Sequence, residues 1–189
     1  LGGDEVAFAE HRIEIDSAGA LVGVTGFNME YVDLSGEGRL DIVIRDARAG
    51  VVWLEQPADP AEQWRRHPIG DIRPDVLVGF VVADIDDDGQ PDLMTGAYSQ
   101  GPRDRDGDVT AASAVGRLAW FEHPGDPGGT WDRHDFSRRA RGMFDKFLAR
   151  DMDGDGDIDF VGTRGNSLPY GGVFWLEQAR TPEPVPAFD

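Results

Sequence analysis

Three kinds of landmark recur along the chain in a fixed order, and their spacing constrains the fold more than any other feature. The interval from a Trp signature to the next His is the same both times (positions 53 to 67 and 120 to 134), as is the interval from that His to the next Asp-rich loop (67 to 84 and 134 to 151). The interval from the last Asp of a loop to the next Trp varies (41 to 53, 92 to 120, and 159 to 175), so it contains a surface loop, where insertions are tolerated. The landmarks are Trp53, Trp120 and Trp175, then His11, His67 and His134, and the loops that begin at Asp33, Asp84 and Asp151.

A unit of about 51 residues with four short β-rich runs between Gly, Pro and Asp turns is typical of a propeller blade. The sequence therefore predicts an all-β protein: a β-propeller of three four-stranded blades, at about 16–70, 71–137 and 138–178. We expect an N-terminal strand, 8–16, to complete the last blade, and the Pro-rich residues 179–189 to form an extended tail.

Closure of this ring has three solutions, because closed propellers have about 4 to 8 blades. The N-terminal strand closes a compact three-bladed ring in its own chain, or is exchanged between two chains in a six-bladed dimer, or the residues belong to something longer. The sequence begins at Leu1 without a leader segment, so we expect a processed or trimmed form.

Composition excludes several classes of protein. With 36 acidic and 18 basic residues the formal charge is −18, which disfavours nucleic acid and acidic membrane surfaces. The absence of cysteine excludes disulfides, thiolate nucleophiles and zinc ribbons. No apolar run approaches the length of a membrane span, and the hydrophobic fraction of 40% is too high for disorder.

The three Asp loops are candidate calcium sites, because acids at alternate positions of a tight loop direct their oxygens inward together. We expect calcium in the second and third loops, and leave open whether the first loop, which has fewer charges, binds an ion. The alternative for each loop is a turn in which the Asp side chains accept hydrogen bonds from their own backbone. The expected ligands are Asp84, Asp86, Asp88, Asp92 and the Gln90 carbonyl; Asp151, Asp153, Asp155, Asp159 and the Asp157 carbonyl; and Asp33, Ser35, Glu37, Asp41 and the Arg39 carbonyl.

These segments, DIDDDGQPD, DMDGDGDID and the degenerate DLSGEGRLD, each after an apolar run, resemble the FG-GAP or VCBS repeats, a family of calcium-binding β-propeller repeats also seen in integrin α-subunit heads. The resemblance spans about residues 8–178. It implies an Asp loop between the first two strands of each blade, an extracellular or periplasmic location, and roles in adhesion, carbohydrate binding or as an accessory module. A few members resemble sugar dehydratases or lyases.

Common enzyme motifs are absent, and no residue is predicted to be catalytic. The recurring Trp and His residues favour a scaffold role, so non-repeating residues are the better ligand candidates. His123 replaces a Gln of the other repeats, and we expect it on a surface loop. The ligand candidates are Arg164, Asn166, Tyr170, Lys146 and His123.

The sequence leaves three functions open. The first is a secreted, calcium-stabilised binding or adhesion module for a glycan or a protein. The second is a carbohydrate lyase or dehydratase with its site at the channel end. The third is a structural subunit that assembles with itself, as a homo-oligomer formed by strand exchange. None of them involves nucleic acid or membrane insertion.

Overall fold

A computed structural model describes residues 6–16, 23–73, 75–98, 116–139, 143–165 and 171–180. These residues form strands and no helix, as predicted, so none of their segments is a helix that could cross a membrane. The strands are β1 (Ile15–Asp16), β2 (Val24–Val32), β3 (Asp41–Asp46), β4 (Gly50–Glu55), β5 (Trp64–Gly70), β6 (Val76–Ala83), β7 (Asp92–Tyr98), β8 (Gly116–Glu122), β9 (Asp132–Arg139), β10 (Met143–Arg150), β11 (Asp159–Gly165) and β12 (Gly172–Leu176).

Local sequence explains these elements. β4 is a run of β-branched and aromatic residues buried along almost its whole length, as suits an inner strand of a packed sheet. The hairpin from β3 to β4 turns at Gly50, whose φ of +84° is a left-handed conformation that favours glycine. Asp46 stabilises the same turn, because its Oδ1 accepts the amides of Arg48 (2.8 Å) and Ala49 (3.2 Å).

Two sheets are present, one of five strands and one of seven, and neither is closed. The first has the order β1-β5-β4-β3-β2. The second runs β12-β11-β10-β7-β8-β9, with β6 also paired to β7. Its two halves are joined between β7 and β10 by one residue pair, Met143 with Tyr98. The described chain is therefore a series of three antiparallel meanders, β2–β5, β6–β9 and β10–β12, and these coincide with the three sequence repeats.

Apolar residues pack between successive meanders. Phe80 and Phe121 of the second meander pack with Val51 and Trp53 of the first. In the same way Phe147 and others of the third meander pack with residues of the second. Most residues of the second core occupy the same repeat positions as residues of the first, so a similar interface is made twice. The first core contains Leu34, Val43, Val51, Trp53, Ile69, Ile72, Leu77, Phe80, Leu93, Ala97, Ala119, Phe121 and Trp131; the second contains Val81, Ile85, Met94, Leu118, Phe144, Phe147 and Phe160.

The predicted position of the N-terminal strand within its own chain is wrong. β1 pairs in parallel with β5, with Ile15 opposite Trp64, and does not lie beside β12, which carries Trp175. The amide of Trp64 donates to the carbonyl of Glu14 (2.8 Å), and Ile15 packs against the small cluster of Ile42, Leu54 and Trp64. Burial of that cluster explains why β1 lies there. Most of the predicted tail, residues 181–189, lies outside the described part of the chain.

Candidate metal centre

The second and third Asp loops each bring three carboxylates together. Each loop connects the first strand of a meander to the second, β6 to β7 and β10 to β11. In the second loop, Asp84, Asp86 and Asp88 each offer an oxygen, and these oxygens lie within 4.8 Å of one another. Asp151, Asp153 and Asp155 form the same cluster in the third loop. Either trio could hold a metal ion.

The backbone of these loops is shaped by the first Asp of each. In the second loop the amide of Asp88 donates to Oδ1 of Asp84 (3.1 Å), and the amide of Gly89 donates to Oδ2 (3.0 Å). Gly89 has a φ of +86°, so a glycine relieves strain at this position. Asp151 accepts the amides of Gly154 (2.6 Å) and Gly156 (3.2 Å) in the third loop. These bonds fold the chain so that the alternate acids converge.

The ninth residue of each loop is a buried Asp that anchors the loop. Oδ2 of Asp92 accepts the amide of Ile85 (2.9 Å), and its Oδ1 accepts the amide of His123 at the end of β8 (2.8 Å). Asp41 and Asp159 make the corresponding bonds in their own repeats. The predicted ligands Asp41, Asp92 and Asp159 thus lie outside the three-carboxylate clusters, and their part in coordination stays a prediction.

Crowded acids alter the electrostatics of both loops. Burial and the charge of Asp88 raise the pKa of Asp86. Burial raises the pKa of Asp92 to about 6, against the opposing effect of its two amide hydrogen bonds. In the third loop, burial and the neighbouring Asp155 raise the pKa of Asp157. Like charges held this close disfavour ionisation of one another, and a bound cation would relieve that repulsion.

One ninth-position Asp shows the opposite shift. Burial raises the pKa of Asp159, but the amides of Gln178 and Met152 and the side chain of Trp175 bond the charged form and together lower it below its ordinary value. The repeated position therefore keeps its hydrogen-bonding role while its electrostatic surroundings differ between loops.

The first loop is built like the others but forms no such trio among its described residues. Asp33 accepts the amides of Glu37 (3.1 Å) and Gly38 (2.7 Å), which repeats the loop shape. Ser35 replaces the second acid, and Glu37 forms an ion pair with Arg39 inside the loop. An internal cation neutralises the charge that would attract a metal ion.

Gln178 and Arg180 contact the acidic loops, and the sequence analysis did not predict either residue there. The Gln178 amide donates to Asp159 (2.8 Å), while its side-chain amide donates to the carbonyl of Ile85 in the second loop (2.8 Å). Arg180 donates to the carbonyl of Asp86 (2.8 Å). Gln178 therefore joins the two acidic loops. The recurrence of Gln at this position, as Gln56 and Gln178, was the available signal.

His123 does not lie on an exposed loop, contrary to expectation. Its side chain is buried, with its ring edge-on to Trp131 at 4.7 Å between centroids. Nδ1 accepts the amide of Gly125 (3.0 Å), so Nε2 carries the hydrogen. Burial lowers the pKa of His123, and the neutral ring is favoured. The hydrogen bond from the His123 amide to Oδ1 of Asp92 holds this residue against the second loop, which explains why its side chain is buried.

The other ligand candidates among the described residues, Arg164 and Lys146, lie in different surroundings. Arg164 is buried, 5.8 Å from the Phe144 ring centroid. Lys146 donates to Glu30 (2.7 Å), and this bond joins the first strand of the third meander to the first strand of the first meander. Asn166 and Tyr170 lie outside the described residues.

The scaffold role predicted for the repeated Trp and His residues is confirmed in the first two repeats. His67 stacks on Trp53, 4.2 Å between centroids, and His134 stacks on Trp120 at 4.4 Å. Nε2 of His67 is 2.8 Å from Glu55, and His134 makes the same bond to Glu122.

No known family model, curated protein or solved structure matches the chain.

The donor set of the two loops fits a hard divalent cation. Each trio supplies carboxylate oxygens, which calcium prefers. Two buried acceptors have no hydrogen-bond partner among the described residues: Asp157 Oδ1 in the third loop, and Oε1 of Gln178, whose side chain reaches the second loop. Unpaired buried acceptors are costly in a native protein, and water or a cation offers them a partner.

Proposed function

We propose that this protein is a calcium-binding β-propeller module of the FG-GAP or VCBS type that works outside the cell or in the periplasm. The observation that supports it best is the recurrence, at the same connection of two successive meanders, of three carboxylates within 4.8 Å of one another. Chance clusters of surface acids would not recur in register with the Trp and His landmarks.

Calcium is favoured over magnesium by the form of the site. Calcium accepts six to eight oxygens in flexible geometry, whereas magnesium requires a near-ideal octahedron and keeps several waters. The loops offer carboxylates on a turn stabilised by backbone amides. When bound, the ion supplies positive charge that holds the acids together.

Calcium at extracellular concentrations fills loops that cytosolic calcium would leave empty, which supports the proposed location. We propose that the module binds a glycan or a protein partner, and that calcium stabilises the fold that presents the binding loops.

The metal proposal is tested by calcium titration in an isothermal calorimeter. We expect two sites in the unmodified protein and the loss of one site in each of Asp88→Asn and Asp155→Asn, because each change removes one carboxylate from a trio. Ser35→Ala in the first loop is the matched control and should keep both sites. Absence of saturable calcium binding to the unmodified protein would contradict the proposal.

Recognition is tested separately on a glycan array in the presence of calcium and after chelation. The proposal predicts binding that is lost with the ion and restored on its return. If the partner is a protein, its binding should depend on calcium in the same way. Product formation from a bound glycan would instead indicate a carbohydrate-active enzyme.

A further inference from the structure

The third repeat exposes positions that the first two repeats bury. The residue two places before the repeated Trp is Val51, Leu118 or Val173. Val51 and Leu118 are 0% exposed because each packs against the next meander, whereas Val173 is 77% exposed. The second residue of the Asp loop shows the same difference between repeats: Leu34 and Ile85 are buried, and Met152 is exposed. We call the surface of Val173, Trp175, Met152 and Leu148 the leading face.

The first repeat exposes the opposite half of the same interface. The residue four places before the Asp loop is Met29, Phe80 or Phe147. Phe80 and Phe147 are 0% and 1% exposed because each packs against the preceding meander, while Met29 is 50% exposed. Phe27 and Tyr31 of the same strand are also exposed. We call the surface of Phe27, Met29 and Tyr31 the trailing face.

We infer that the leading face of one copy binds the trailing face of a second copy, head to tail, in a dimer that uses both pairs of faces. The occupant is identified by the two interfaces within the chain, where Val51 or Leu118 of one meander lies in a core with Phe80 or Phe147 of the next. Exposed apolar patches of this kind mark interaction sites, and the complementary half is present on every molecule. The inference goes beyond the proposed function and does not depend on a bound ion.

The N-terminal segment of the second copy fits the edge of β12. In the first two repeats the last strand carries an aromatic residue three places before a His. This strand pairs with the Trp strand so that the His lies opposite the Trp, as His67 lies opposite Trp53. Phe8 and His11 repeat this spacing, and both are exposed. The same register places His11 of a second copy opposite Trp175, which is 47% exposed. β1 holds to β5 through two residue pairs, one further backbone bond and the packing of Ile15, and pairing with β12 of a second copy would replace these contacts.

The test is the mass in solution, measured by light scattering on a size-exclusion column across a dilution series in calcium and in chelator. We expect twice the chain mass of 20.7 kDa. Val173→Glu and Met29→Glu each place a charge on one face, and each variant alone should run at the mass of one chain. Ala61→Glu adds the same charge in an exposed turn between β4 and β5 and should leave the dimer intact.

Mixing the two variants separates this arrangement from other dimers. Each keeps one intact face, so an equimolar mixture of Val173→Glu and Met29→Glu should regain two-chain particles, through one pair of faces. If the dimer were instead formed by a symmetric contact between like faces, mixing the two variants would not restore it. Failure of the mixture to form two-chain particles would therefore overturn the proposal. So would one-chain mass for the unmodified protein at every concentration, or particles that grow beyond two chains. Far-ultraviolet circular dichroism confirms that each variant is folded.

Discussion

Among single side chains, Asp46 stabilises the fold most clearly through charge. The carboxylate is buried; Oδ1 accepts the amides of Arg48 and Ala49, Oδ2 accepts that of Gly23 (3.1 Å), and Nη1 of Arg66 lies 3.3 Å from Oδ2. Burial raises the pKa of Asp46, but the three amides and Arg66 together outweigh it, so the pKa lies below the ordinary 3.8.

Asp46→Asn should therefore lower the free energy of unfolding at neutral pH by about 2 kcal/mol, because hydrogen bonds to a charged group are lost. A carboxyl whose pKa is lowered by folding stabilises the protein above its unfolded pKa, and this contribution is lost as the pH falls through the lower folded pKa. The difference between the two proteins should thus shrink in strong acid.

Urea denaturation at neutral pH and below pH 3.8 measures both effects. Asp59 is the matched control, because its carboxylate accepts the amide of Ala61 (2.9 Å) at an exposed turn. Asp59→Asn should cost less than about 0.5 kcal/mol, as surface substitutions do. An equal cost for the two substitutions would show that the buried network adds nothing.

Strands and loops are the features that the sequence predicts best. The short β-rich runs between Asp-rich and Gly-rich turns placed the strands. The structure pairs His67 with Trp53 and His134 with Trp120, a register that the equal spacing of these residues did not by itself predict. Alternate acids likewise predicted both carboxylate trios. The sequence did not predict that Glu37 would pair with Arg39, because ion pairs depend on side-chain positions that a spacing pattern does not contain.

Gly70, the last residue of β5, controls how closely the first two meanders pack. A Cβ at this position would collide with the ring of Phe121, which is buried between the sheets. Gly70→Ala should lower the free energy of unfolding by about 2 kcal/mol, because overpacking of a close-packed core forces side chains from their rotamers.

Gly171→Ala is the control, since the nearest atom to its added Cβ is a carbonyl oxygen 3.4 Å away, an ordinary contact. Both variants are measured by urea denaturation with the slope compared as well as the midpoint. A midpoint for Gly70→Ala equal to that of the control would mean that the interface between the meanders adjusts freely.

The arrangement of the meanders, and of β1 beside them, is the feature of the described residues that the sequence predicted least well. Spacing identifies repeats but carries no information on the angle between them, which depends on how core side chains interdigitate. The position of β1 shows this: the repeat pattern predicted that the N-terminal strand completes the last blade, yet burial of Ile15 beside Ile42 and Leu54 favours β5 within one chain. Such a choice depends on competing apolar surfaces that only the folded structure presents.

Net charge and metal binding act together on the stability of the protein. A formal charge of −18 makes the folded state repel itself, and both sodium and calcium would screen that repulsion. Occupied loops add a term specific to calcium: at a free concentration of about 100 times the Kd, each site contributes ~2.7 kcal/mol. Two sites would raise the melting temperature by about 10 to 20 °C for a chain of this size.

Melting curves in calcium chloride and in sodium chloride of equal ionic strength separate the two contributions. We expect the large rise with calcium and a small rise with sodium. The double variant Asp88→Asn, Asp155→Asn should keep the sodium response and lose most of the calcium response, because screening acts on all charges whereas coordination needs the trios. If the two salts raise the melting temperature equally, the loops are turns stabilised by their own backbone amides, and the acids serve only to set the charge.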